Sequence, residues 1–230
     1  MDSSLNNAIK IDDIQSYVDE NLDLFSKVLN SLESVSGEAK SYLVEKTSKD
    51  GRIDNSLLEK YQYEGHGFAW FETYRISLRE TLNWYKRLKN INKSSKLESG
   101  ILIFAFSEYL TQMRNGIMMS QTEVVRPSIL GISHESFSFY ESPDVANLIK
   151  IGSSDSVKDE IVSSLENGIF PNLGLNDELF VPPGNIKDFN GDNLVFILSI
   201  SFSNIFIPSF KDFAFLFLSG IHKSAPISKR

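Results

Sequence analysis

Residues 65 to 88 read GHGFAWFETYRISLRETLNWYKRL, and the fold turns on whether this aromatic stretch is a core helix or part of an active site. Leu57, Tyr61, Phe68, Phe71, Leu78, Leu82 and Tyr85 recur at steps of three, four or seven, which places them on one face of an α-helix. Asp54, Asn55 and Ser56 form an N-cap cluster, because short polar side chains accept from the free N–H groups of a first helical turn. The pattern predicts one long core helix from there to about Leu88. Trp70, Tyr74 and Trp84 broaden the apolar face and predict packing on two sides.

Upstream, Ile14, Val18, Leu22, Phe25, Leu29 and Leu32 make a single apolar stripe, with Gly37 expected to interrupt the helix and Ser48, Asp50 and Gly51 to end it. Downstream, Asn, Lys and Ser between Lys89 and Gly100 read as a solvated connection. ILIFAFSEYLTQM, ending at Met113, then reads as a buried helix. The segment 115–143 holds Pro127 and Gly131 and no sustained period, so it is expected to be an ordered loop across the helices, with Met118 and Met119 filling core gaps. SPDVANLIKIG and SSDSVKDEIVSSLENG each begin with a capping signal and predict small helices.

The tail from Phe180 changes character. Eight of the chain's 17 Phe lie between Phe189 and Phe217, and residues 193–210 carry no charge. Ser199, Ser201, Ser203, Asn204 and Pro208, followed by Lys211 and Asp212, argue against a transmembrane helix, which needs about 20 mostly apolar residues. Apolar β-hairpins or poorly ordered sequence are the expectation there.

The 230 residues are 41% hydrophobic, ample for a core, and carry a formal charge of -7. That balance argues against nucleic-acid binding, whose affinity comes from Lys and Arg releasing phosphate counterions. Without cysteine there is no disulfide, thiolate nucleophile or Cys-bound metal. The start, MDSSLNNAIKIDDIQ, lacks the basic and apolar regions of a secretory signal, so a cytoplasmic protein is expected.

Candidate chemistry is sparse. His66 and Glu64 stand two apart, on different sides of a helix, and cannot chelate one ion together. The favoured reading is structural: Gly65 and Gly67 admit a neighbouring helix and the imidazole is hydrogen-bonded at that contact. His134 and His222 lie in no metal-binding spacing, Ser133-His134-Glu135 is a polar run in a loop, and GxSxG, GxGxxG and GxxxxGK[ST] are absent. Gln121, Glu123 and Arg126 in SQTEVVRPS are the best candidates for a purposeful polar site, since an Arg before Pro could fork onto a carboxylate or phosphate. The favoured role for Arg126 is to tie the loop down.

Four phrases then point to a family: DGRID (50–54), EGHGFAWFETYRISLRETLNWYKRL (64–88), FSEYLTQMRNGIMMSQTEVVRPSILGI (106–132) and GLNDEL (174–179). In this order they resemble the helical N-terminal extension of a subgroup of bacterial acyl-CoA dehydrogenases, the flavoproteins of the (2S)-methylsuccinyl-CoA dehydrogenase type. The resemblance covers roughly residues 10 to 180. It implies an all-helical module ahead of a catalytic core that binds FAD and oxidises an acyl-CoA at its α and β carbons, with a glutamate as base. Where the family continues into a TIPEEYGG-like phrase, this sequence reads FVPPGNIKDFNGDNLVFILSISFSNIF (180–206), so no residue here inherits a catalytic, flavin-binding or CoA-binding role.

The resulting expectation is an all-α, antiparallel helical bundle over 11–179, with short accessory helices. A disordered N-terminus over 1–10 is expected to precede it and an atypical apolar tail over 180–230 to follow, the compositional change suggesting a truncated or frameshifted gene. The chain itself is expected to hold no cofactor, FAD belonging to the full-length family. It would act with an acyl-CoA dehydrogenase core or further copies of itself, and not with nucleic acid or membrane. His66, Gln121, Glu123 and Arg126 are the candidate polar site. The rival expectation is a free-standing helical module for protein interaction or membrane docking.

Overall fold

A computed structural model describes residues 14–120 and 122–174. These residues are mostly helical: α1 (Ile14–Glu20), α2 (Leu22–Thr47), α3 (Asn55–Lys60), α4 (Gln62–Asn90), α5 (Lys96–Asn115), α6 (Pro143–Gly152) and α7 (Asp155–Glu166). Two antiparallel two-residue ladders interrupt them, β1 (Ser48–Lys49) with β2 (Arg52–Ile53) and β3 (Ile117–Met118) with β4 (Val124–Val125). Short 3₁₀ helices cover Pro127–Leu130 and Glu135–Glu141. Among the described residues no helix is long and apolar enough to cross a membrane. The expected disordered N-terminus over 1–10, the tail over 180–230, His222 and Gln121 lie outside the described residues.

The single stripe expected over the first helix is divided between two. Asn21 leaves helical geometry, and its Nδ2 donates to the Tyr17 carbonyl at 2.8 Å, so the side chain competes for the helical ladder. Ile14, Val18, Phe25, Val28, Leu32, Val35, Ala39 and Leu43 are buried, while Leu22 and Leu29 are only half-buried. Gly37 does not break α2, contrary to expectation. It is exposed, and a Cβ there would meet nothing within 4 Å, so the helix carries only glycine's modest propensity cost.

The long aromatic helix also starts later than its cap suggests. Asp54 caps as expected, its Oδ1 accepting from Ser56 N at 2.9 Å and Leu57 N at 3.0 Å. That helix is only α3, which buries no residue; the chain bends at Tyr61 and α4 carries the core face. Phe71, Leu78, Leu82, Trp84, Tyr85 and Leu88 are buried, so one face of the stretch is core, chiefly in its second half.

α5 lies at the centre. It begins at Lys96, inside the stretch expected to be a solvated link, and Leu97 to Gly100 are buried. A capping box sets this start: Ser95 Oγ accepts from Leu97 N at 3.2 Å, and Glu98 Oε2 accepts from Ser95 N at 2.8 Å. α1, α4, α6 and α7 all pack on α5. A Cβ on Gly152 would lie 2.4 Å from the Ile103 carbonyl oxygen and 2.6 Å from Ser107 Cβ, so the end of α6 meets α5 almost backbone to backbone. Ser107 Oγ donates to the Ile149 carbonyl at 2.7 Å across the same contact. On another side Gly100 receives Ile161 of α7, and Phe106 meets Phe25 of α2 edge to face at 4.8 Å.

Two glycines therefore predict opposite outcomes under chemical denaturation. Gly37→Ala, with open space around it, should raise stability by about 0.5–1 kcal/mol. Gly152→Ala should lower it by about 1–3 kcal/mol, because the new methyl overlaps α5. Trp84→Ala should cost about 3–5 kcal/mol; a variant of unchanged stability would contradict the core assignment of the aromatic stretch.

Candidate functional site

The first half of α4 and the second half of α5 carry a half-exposed aromatic face. On α4, His66, Trp70 and Tyr74 are spaced by four residues and stand on one side of the helix. Trp70 Nε1 donates to His66 Nε2 at 3.1 Å. The Trp70 and Tyr74 rings meet edge to face at 6.3 Å, and Tyr74 stacks on Tyr109 of α5 at 4.4 Å and 18°. Tyr74 Oη donates to Gln112 Oε1 at 2.8 Å, and Gln112 Nε2 donates to Glu108 Oε1 at 2.7 Å. Burial pushes the Tyr74 phenol up to about 12, with the neighbouring Tyr109 and Glu108 adding to the rise. Tyr109 is raised by burial first and then by Glu108.

The β3–β4 hairpin closes on the start of α4. A Cβ on Gly67 would sit 2.7 Å from Val125 Cγ1, and Tyr63 Oη donates to the Val124 carbonyl at 3.1 Å. The glycine-flanked site thus admits a hairpin rather than a helix, and only through Gly67; a Cβ on Gly65 would meet nothing within 4 Å. His66 is exposed and bonds within its own helix, not at an interhelical contact.

Glu123 and Arg126 flank the second strand of this hairpin. Glu123 is exposed; its carbonyl accepts from Met119 N at 2.9 Å, and its Oε2 accepts from Ser120 Oγ at 3.3 Å, which closes the turn. Arg126 is exposed and precedes the first 3₁₀ helix, its carbonyl taking the Ile129 N–H at 3.0 Å. Gln121 lies outside the described residues. Met118 is 64% exposed rather than core, because alternation along β3 turns Ile117 inward and Met118 outward.

Serine and histidine do not form a dyad at 133–135. Glu38 of α2 accepts from Ser133 N at 2.8 Å and from Ser136 Oγ, while His134 is exposed at the start of the second 3₁₀ helix.

Two buried polar clusters went unread in the sequence. Arg75 is 8% exposed and forks onto Glu72, Nε to Oε1 at 2.9 Å and Nη2 to Oε2 at 2.8 Å, while its Nη1 reaches Glu33 of α2. The carboxylates hold its pKa above the usual arginine value, Glu72 foremost. The second cluster clamps the chain after α7: Trp84 Nε1 donates to the Asn172 carbonyl and Glu98 Oε1 accepts from Asn172 N, each at 2.8 Å. Trp and Glu at core spacings were the available signals.

Depressions occur at the β1–β2 hairpin, about 480 Å³ beside Lys49, Asp50, Arg52, Ile53 and Asp54, and at the α1–α2 bend, about 380 Å³ and flanked by Glu20, Asp23, Lys27 and Asp144. Among the described residues no group of three His, Asp or Glu side chains is set to hold a metal.

The comparisons bear on this geometry. Over 162 residues the chain is 33% identical to (2S)-methylsuccinyl-CoA dehydrogenase of Cereibacter sphaeroides. This similarity supports an acyl-CoA dehydrogenase-family relationship. The match covers 69% of this chain and 29% of that protein. No family model matches.

The buried phenols predict a pH limit. Burial pushes Tyr85 up to about 12, the Ser99 hydrogen bond pulling it back and Asp19 adding to the rise, and burial also raises Tyr140. A phenol raised in the folded state stabilises the fold fully below its unfolded value near 10 and loses that contribution as pH rises through the folded value. Phenolate absorbance should therefore show late-titrating tyrosines, and the denaturation midpoint should fall between about pH 10 and about pH 12. A midpoint flat across this window would contradict the burial.

Proposed function

We propose that this chain is an accessory module of an acyl-CoA dehydrogenase-like oxidoreductase, equivalent to a helical N-terminal extension arranged as an antiparallel bundle. It performs no catalysis of its own. It packs against, or helps to assemble, a cytoplasmic FAD-bearing core that oxidises an acyl-CoA such as methylsuccinyl-CoA. The observation that carries this reading is the 33% identity to a methylsuccinyl-CoA dehydrogenase over 69% of this chain and 29% of that protein.

The local chemistry supports it. The nitrogen of His66 that could act as a base takes the Trp70 indole N–H, Glu123 closes a turn, and the buried Arg75 is committed to Glu72 and Glu33. The depression at the β1–β2 hairpin is lined by Lys49, Asp50, Arg52 and Asp54 with Ile53 as its one apolar side chain, a poor fit to a flavin ring. Flavin chemistry is accordingly assigned to a core outside the described residues.

Two measurements test the proposal. The purified chain, mixed with FAD and desalted, should come off colourless and reduce no electron acceptor with methylsuccinyl-CoA; retained flavin or acceptor reduction overturns the non-catalytic reading. The Cereibacter sphaeroides dehydrogenase, stripped of its matching stretch and mixed with this chain, should co-elute with it in size-exclusion chromatography. Separate elution overturns the packing role.

A further inference from the structure

We infer that the α4–α5 aromatic face is a docking site for a cationic, arginine-bearing segment of a partner polypeptide. His66, Trp70, Tyr74, Tyr109, Gln112 and Glu108 compose the face, and Trp70, Tyr74 and Tyr109 are all half-exposed. Its polar atoms are cross-linked: the Trp70 indole donates to His66, the Tyr74 hydroxyl to Gln112, and one N–H of the Gln112 amide to Glu108. The face thus sets half-exposed aromatic rings, electron-rich on their faces, beside the exposed Glu108 carboxylate.

A guanidinium matches both parts at once. It stacks flat on an aromatic face, attracted by the ring quadrupole, and its fork of N–H donors fits a carboxylate. Lysine offers a compact, strongly hydrated charge and matches only in part. The formal charge of -7 steers a cation toward the surface, and the aromatic–acid juxtaposition selects where it settles. The face needs no rearrangement to receive it, because the Tyr74–Tyr109 stack and the Tyr74–Gln112–Glu108 relay already hold the groups in place. The inference concerns this surface alone and stands apart from the acyl-CoA dehydrogenase reading.

Intrinsic fluorescence provides the test, since Trp84 is buried and Trp70 is the half-exposed indole of the pair. A synthetic peptide of alternating arginine and glycine, titrated into the full chain, should change Trp70 emission saturably, and its lysine counterpart should bind more weakly. Glu108→Gln, at an exposed position, should weaken arginine-peptide binding by about five- to tenfold, as should Tyr109→Leu. Glu20→Gln, on the α1–α2 side, should leave binding unchanged while altering the net charge equally. Circular dichroism establishes that each variant is folded. Absence of saturable binding overturns the inference, as does equal weakening by Glu20→Gln and Glu108→Gln, which would reduce the effect to bulk charge.

Discussion

The close approach of α5 to its neighbours is the constraint from which the rest of the structure follows. A helix buried on nearly every side cannot be served by large side chains everywhere, because the surrounding helices would be held too far apart to exclude water. Gly152 of α6 removes a side chain where its backbone meets that of α5, Gly100 of α5 leaves room for the Ile161 side chain of α7, and Ser107 turns the α6 contact into an interhelical hydrogen bond. Between these contacts Leu102, Phe106 and Leu110 fill the space. Close approach at small residues and filling by large ones are two halves of one packing solution.

That burial raises the cost of every polar atom it encloses. Among the described residues no buried side-chain nitrogen or oxygen lacks a hydrogen-bond partner. Glu98 is 3% exposed, yet it closes its own helix's capping box with one oxygen and holds Asn172 with the other. Tyr85 bonds Asp19 of α1 and Ser99 of α5, each at 2.9 Å, while Lys89 pairs with the same Asp19. These groups fix the angular positions of the helices, which a greasy interface alone would leave free to slide. The same low-polarity surroundings raise the phenol pKa values.

Periodicity made the core legible wherever a helix had one buried face, as in α2 and α4. It failed where a short polar side chain or a backbone angle, rather than hydrophobicity, set the boundary. Asn21 and Tyr61 end helices inside an unbroken apolar rhythm, and the capping box at Ser95 starts α5 within a run of polar residues. Gly37 erred the other way, because a glycine on a solvent face costs a helix too little to stop it. The hairpin at 117–125 was hidden because two-residue strands are shorter than any window that reveals alternation. Of the candidate polar residues, His66 reached the aromatic face and Glu123 and Arg126 the hairpin. The partners that define that face, Tyr109, Gln112 and Glu108, come from a helix whose near-continuous apolar sequence gave no hint of a surface.

The aromatic stretch therefore does two jobs by dividing along its length. Near its C-terminal end, Leu82, Trp84, Tyr85 and Leu88 are enclosed by α1, α5 and the segment at Asn172. Toward its start the enclosure is partial: the β3–β4 hairpin meets the helix at Tyr63 and Gly67, and α5 covers Tyr74 through Tyr109 and Gln112. Trp70 and Tyr74 consequently retain solvent contact while their polar atoms are engaged by neighbours. A side chain meant for solvent would keep its donors for water, and one meant for the core would be covered. Rings held rigid, half-covered and with donors turned inward are prepared to receive a partner at little further entropic cost, since the ordering has already been done by folding.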